Sequence, residues 1–131
     1  MESDLSKMQV LIVDDSRIIR KAVHKAVTQA GVEEGCIREA GDGLEALAAL
    51  ETSLPDIIFL DVHMPNMNGE EFMEVVGTDG RSEKFAVVIV STEMNAKRLL
   101  KLAQLGARTR LHKPFAPERI REIMMEICNA A

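Results

Sequence analysis

Leu11-Ile12-Val13-Asp14-Asp15 and Ile57-Ile58-Phe59-Leu60-Asp61 are the two stretches that decide the fold. Each is an unbroken apolar run that stops on acid. A short run without polar alternation is the pattern of a strand buried on both faces, which is how strands of a parallel sheet read. A third, weaker run ends in Lys113-Pro114. Ligands of open parallel sheets sit beyond the carboxyl ends of the strands. Three carboxylates and one ammonium that are far apart in sequence are therefore predicted to meet at one edge of the fold.

Outward from these runs, strand and helix alternate five times. The strands are predicted at residues 8–13, 37–40, 56–60, 86–90 and 109–111, the last being short and polar. After the first strand, Ile19, Ala22, Val23, Ala26, Val27 and Ala30 follow a helical period, and Gly31 supplies the helix stop. Asp42 with Glu45, and Asn68 with Glu71, have the spacing of capping boxes, opening helices that run to about Glu51 and Val76. A fourth helix covers 95–105 and is stopped by Gly106. Pro117 suits the first turn of a fifth, whose stripe is Ile120, Ile123, Met124 and Ile127. The eight methionines read mostly as core filler or helix packing. Alternation of this kind demands parallel strands joined by right-handed crossovers, hence an α/β, doubly wound, five-stranded parallel sheet. The strand order 2-1-3-4-5 puts strands one and three side by side at the switch point, and Asp14, Asp15 and Asp61 with them.

The bulk numbers suit one domain over residues 1–131 with a core at about 8–128, since 131 residues bury about two-thirds of their unfolded surface and 47% are hydrophobic. No apolar stretch approaches the roughly 20 residues that cross a bilayer, and residues 1–7 lack the pattern of a secretory signal. Cys36 and Cys128 read as reduced thiols of a cytoplasmic protein. The net charge of −5 is unevenly spread: residues 1–80 hold 6 basic and 16 acidic side chains, residues 81–131 hold 10 basic and 5 acidic. That basic part is either a solvated surface or a docking face for an acidic protein partner. Nucleic acid fits poorly, because Phe85 and Phe115 are its sole aromatics and no basic helix is sustained.

Three carboxylates within a few ångström repel one another unless a hard cation such as Mg²⁺ intervenes. The same cation screens an incoming phosphoryl group, which a carboxylate can attack and carry as an aspartyl phosphate. Lys113 supplies an ammonium, and Ser91, directly after the fourth strand, a hydroxyl. Alone, an Asp-Asp pair reads as a turn or helix cap. Four polar residues all at strand ends on one edge read as a site. The Pro after Lys113 allows a cis bond that would fix the lysine's direction.

With Asp14-Asp15, Asp61, Met64-Pro65 and Gly69, Ser91-Thr92 and Lys113-Pro114-Phe115 in order, the chain resembles the receiver (CheY-like) domain of two-component response regulators. The resemblance covers residues 8–128 and implies a flavodoxin-like (βα)5 fold. It implies that Asp61 is the phosphoacceptor, charged by a histidine kinase, a histidine phosphotransfer protein or a small phosphodonor. Asp15 and Asp61 would ligate Mg²⁺, Asp14 would hold a metal-bound water, and the His63 carbonyl would complete the set. Lys113, the Ser91 hydroxyl and the Thr92 amide would bind the phosphoryl group. Phosphorylation would then shift the face formed by helix four, strand five and helix five, which coincides with the basic part of the chain.

One departure stands out: relatives carry a switching aromatic residue three positions before the lysine, where this chain has Arg110. Arg110 is expected to pair with an acid, Glu93 being the candidate, or else helix four moves without it. His63 and Glu93 occupy positions that in the family tune phosphate hydrolysis. His63 is read either as an exposed residue held for its carbonyl or as an imidazole that orients the attacking water. A stand-alone switch is favoured because the chain starts at Met1 and has little tail. A receiver excised from a larger regulator or hybrid kinase, and a phosphorelay shuttle, are the alternatives. An enzyme is not expected beyond slow self-dephosphorylation. A Mg²⁺-dependent aspartyl phosphohydrolase would have an acid where His63 stands, and a nucleotide or flavin domain would have a glycine-rich loop where Asp14-Asp15-Ser16-Arg17 stands. A silent receiver scaffold would not need the complete acid, hydroxyl and lysine set.

Overall fold

Both deciding runs lie in the interior of a parallel sheet. The computed structural model describes residues 4–92 and 95–130. Its elements in chain order are β1 (Val10–Val13), α1 (Arg17–Gln29), β2 (Ile37–Ala40), α2 (Gly43–Thr52), β3 (Ile57–Leu60), α3 (Gly69–Thr78), β4 (Ala86–Ser91), α4 (Ala96–Gln104), β5 (Thr109–His112) and α5 (Pro117–Ala130). The sheet order is β2-β1-β3-β4-β5 and every pairing is parallel, as the alternation predicts. Val13 lies opposite Leu60, so Asp14 and Asp61 leave the sheet as neighbours.

All four residues of β1 and of β3 are buried because each face is covered. Val10, Ile12, Ile57, Phe59, Val88 and Val90 pack against Val23 and Val27 of α1 and Ile120, Ile123 and Met124 of α5. Leu11, Val13, Ile58, Leu60, Val87 and Ile89 pack against Ala46 and Leu50 of α2, Phe72, Met73 and Val76 of α3, and Leu102 of α4. Each fully buried side chain of this size contributes about 1.5–3 kcal/mol, so the rim residues stand on the most stable part of the molecule. Of the methionines, Met73 and Met124 are buried, while Met8, Met64, Met67 and Met125 pack at the core's margins; Met1 and Met94 lie outside the described residues.

Several ends differ from expectation, each for a local reason. β1 and β3 start later than 8 and 56, because Gln9 and Asp56 tie the strands together just below the ladder: Gln9 N–H donates to Asp56 Oδ2 at 2.8 Å, and Asp56 N–H to the Gln9 carbonyl at 2.8 Å. β4 and β5 each run one residue further, to Ser91 and His112, which pair with one another. α3 runs two residues past Val76. Its capping box is complete, with Asn68 and Glu71 each accepting the other's backbone N–H. At α2 the box is half made: Asp42 accepts from Glu45 N–H, but the Glu45 carboxylate accepts from Gly41 instead of Asp42. Helix α4 is capped by Asn95, whose side chain accepts from Arg98 N–H. Short 3-10 turns at Glu34–Cys36 and Arg81–Lys84 have no counterpart in the sequence reading.

Candidate functional site

The site assembles at the carboxyl edge of β1, β3, β4 and β5. Asp14 is buried, and both its oxygens are engaged. Oδ1 accepts from Ser16 N–H at 2.8 Å, and Oδ2 accepts from Lys113 Nζ at 2.9 Å. The Ser16 side chain caps α1 by accepting from Ile19 N–H, so the turn after β1 holds Asp14 in place. The Asp14 carbonyl accepts from Arg20 Nη1 at 2.6 Å, and Arg20 Nε in turn donates to Glu39 at 3.1 Å. Asp61 follows β3 directly. Its Oδ1 accepts from Val62 N–H at 2.9 Å and lies 3.4 Å from Lys113 Nζ. Asp15 is exposed, and its carboxylate has no hydrogen-bond or ion-pair partner among the described residues.

Oxygens of Asp14, Asp15 and Asp61 all lie within 4.8 Å of one another. Three carboxylate oxygens at that spacing are a hard donor set, and the Asp15 carboxylate is not engaged by any described residue, so the residues fit Mg²⁺. Lys113 comes from the turn after β5. Its backbone N–H donates to the Ser91 carbonyl at 3.1 Å, and the Lys113-Pro114 bond is cis, as the sequence allows.

Electrostatics at the rim follow from burial and crowding. Burial pushes the Asp61 carboxyl above its ordinary value and the Asp14 charge adds to this, outweighing the lowering by Lys113 and the Val62 N–H. Burial alone works to lower the Lys113 ammonium, yet the hydrogen bond to Asp14 and the charges of Asp61 and Asp14 together raise it. An acid raised beside a raised ammonium is unusual for a simple pair. It reflects the burial of Asp61 first and the nearby Asp14 charge second.

The remaining predicted residues are placed as follows. Ser91 ends β4 with its side chain buried, and Thr92 is exposed just beyond it. His63 is exposed two residues after Asp61. Arg110 is half-buried opposite Ile89, in a cleft of about 170 Å³ between β5 and α4 that Leu99 and Leu102 also line. Its expected partner Glu93 lies outside the described residues. One contributor escapes the sequence reading: Arg20, which buttresses Asp14 from a helix position that carries no motif. Gly69, quoted there only as part of the family pattern, has a packing reason, since a Cβ would overlap the Asp61 carbonyl oxygen.

The family model described as response regulator receiver domain matches residues 10–125. The chain belongs to that family. This receiver domain is 32% identical to the probable chemotaxis protein CheY of Rhizobium etli over 95% of each chain. It is 34% identical to protein-glutamate methylesterase/protein-glutamine glutaminase 1 of Caulobacter vibrioides, covering 94% of this chain but 35% of that one. Among solved structures, Vibrio cholerae chemotaxis protein CheY4 superposes with a TM-score of 0.81 at 33% identity, covering 92% of this chain and 98% of that one. The receiver domain is thus a phosphorylation-dependent signalling module of the two-component kind, spanning nearly all of one relative and about a third of another. No described helix is long and apolar enough to cross a membrane.

The raised Asp61 carboxyl makes a prediction for the metal-free receiver. A carboxyl raised by folding contributes stability that is complete below its unfolded value of about 3.9 and is lost as pH rises through its folded value. Above that, ionised Asp61 counts against folding. Asp61→Asn is therefore expected to melt higher than the parent at pH 7 without metal, by about 2–5 °C, with the gap shrinking as pH falls. Scanning calorimetry between pH 4 and 7 measures it, and a lower melting temperature for the variant at pH 7 would contradict the assignment.

Proposed function

We propose that Asp61 is the phosphoacceptor of this receiver and that Mg²⁺ binds at Asp14, Asp15 and Asp61. The observation that carries this is the cluster of three carboxylates within 4.8 Å, with Lys113 Nζ bridging Asp14 and Asp61. Asp15 and Asp61 would hold the ion directly, with the His63 carbonyl beside them, and Asp14 would orient a water toward it. When bound, Mg²⁺ neutralises the carboxylates and draws charge from the phosphoryl oxygens.

The protein's own part is placement. Val62 N–H and Lys113 hold Asp61 Oδ1, while Oδ2 receives no hydrogen bond among the described residues and is free to attack. As the Oδ2–phosphorus bond forms, the bond from phosphorus to the donor's nitrogen or oxygen breaks, and its electron pair leaves with the donor. Lys113, the Ser91 hydroxyl and the Thr92 amide receive the phosphoryl oxygens. Attack of water on phosphorus later returns Asp61 as a carboxylate, and this slow loss is the chain's only turnover; it is not an enzyme acting on a foreign substrate.

The donor is a histidine kinase or histidine phosphotransfer protein, in the cytoplasm. The output is a protein with an acidic surface, met by α4, β5 and α5. Leu100 of α4 is 60% exposed there as an apolar anchor. Arg119 is engaged by Glu122 and Glu126, whereas Lys97, Arg108 and Arg121 form no ion pair among the described residues. A stand-alone regulator and the receiver of a longer protein present this same site. Intact-mass analysis after incubation with acetyl phosphate tests the reading: one phosphoryl group is expected with Mg²⁺ and none with a chelator present, and no gain in either case would overturn it.

A further inference from the structure

We propose that Asp42 and Asn66 form a latch that positions the metal-binding loop, an inference that rests on the Mg²⁺ assignment above. The loop from Asp61 to Asn68 carries His63 and joins β3 to α3. Across from it is the turn between β2 and α2, which holds none of the expected site residues. Asp42 in that turn is buried, 6% exposed, and uses both carboxylate oxygens. Oδ1 accepts from Glu45 N–H at 2.8 Å and so caps α2. Oδ2 accepts from Asn66 Nδ2 at 2.8 Å. These bonds hold the Asp42 carboxyl below the usual carboxylate range, the Asn66 contact first, so it stays charged.

Asn66 has a reason to need holding. Its φ of 66° places it in the left-handed region, which Asn tolerates better than most residues but still at some cost. One residue on, the Met67 carbonyl accepts from Gly43 N–H at 2.9 Å. A Cβ at Gly43 would come within 2.8 Å of that carbonyl oxygen, so the two turns touch backbone to backbone. At its other end the loop is fixed by Gly69 N–H donating to the Val62 carbonyl at 2.9 Å. Asp42 thus acts as a positioning residue: it selects the strained conformer at Asn66 and fixes the path of residues 61–68, and with it the His63 carbonyl. A loop that must be ordered by the ion itself binds that ion less tightly.

Two substitutions separate the latch from its neighbours' roles. Asp42→Ser keeps a good N-cap for α2 but has no second oxygen for Asn66. Asn66→Gly keeps the left-handed conformation and the net charge but has no amide for Asp42. The chain has no Trp or Tyr, so Mg²⁺ binding is read by titration calorimetry rather than fluorescence. Each variant is expected to weaken Mg²⁺ binding about five- to tenfold, because only part of the worth of one hydrogen bond to a charged group is passed on to the ion. The double variant is expected to be no weaker than the weaker single. The Mg²⁺ concentration for half-maximal phosphorylation by acetyl phosphate should rise in step, while the rate at saturating Mg²⁺ stays within about twofold. Hydrogen exchange at the Gly43 amide should quicken in both singles. Mg²⁺ affinity within twofold of the parent in Asn66→Gly, or additive losses in the double variant, would overturn the latch. Failure of the parent itself to bind Mg²⁺ would overturn the metal assignment beneath it.

Discussion

Asp61→Asn is expected to take up no phosphoryl group from acetyl phosphate and Mg²⁺, a loss of at least about 10³-fold in rate. The neighbouring carboxylates cannot substitute. Asp14 has one oxygen on Ser16 N–H and the other on Lys113, so neither is free to attack. Asp15 is exposed and unsupported by any hydrogen bond among the described residues, so nothing aims it at a phosphorus held by Lys113. Asn keeps the volume of Asp and its amide oxygen can still accept from Val62 N–H, so the fold survives. The same variant is expected to be more stable without metal, which separates lost chemistry from lost structure. Phosphorylation of the variant at a rate near that of the parent, read by intact mass, would move the acceptor elsewhere.

Lys113→Ala is expected to slow phosphorylation by about 10²-fold, the usual cost of removing one preorganised electrophilic contact. Its ammonium sits between Asp14 and Asp61, and the proposed phosphorylation of Asp61 would add negative charge beside it. Stability is expected to fall too, by about 1–3 kcal/mol in urea unfolding, because Asp14 is left buried without its counter-charge. The raised Lys113 value fixes the sign: its stabilisation is complete below the unfolded value of about 10.4 and is lost only as pH rises through the folded one. The deficit should therefore hold steady from pH 7 to 9. Adding Asp14→Asn is expected to recover part of the stability and none of the rate. Equal phosphorylation rates for Lys113→Ala and the parent would exclude the lysine from the transfer step.

What was legible in the sequence follows from what burial does to a pattern. β1, β3 and β4 are covered on both faces, so they appear as unbroken apolar runs, and the residue after such a run is at the rim by construction. That is why Asp14, Asp61 and Ser91 could be placed from sequence, and why β5, with Thr109 and Arg110 half-buried and His112 exposed, was the least distinct. Contacts between two turns leave no such trace. Asp42 reads as a helix cap and Asn66 carries no reading of its own, and their 2.8 Å bond joins segments whose spacing encodes nothing. The same holds for Arg20, which sits in a helix whose apolar stripe is legible, while its bond to the Asp14 carbonyl depends on how the helix packs. Glu45 had the right spacing for a reciprocal cap and took the Gly41 amide instead, a choice set by the path of the preceding turn.

The central claim is that the fold gathers distant polar residues so that one carboxylate, Asp61, takes the phosphoryl group. Phosphorylating the parent, reducing the acyl phosphate with borohydride and mapping peptides by mass tests it most directly. Homoserine at position 61 alone is the predicted result. Homoserine at 14 or 15, or an unreduced phosphate on a serine, threonine or histidine, would contradict it.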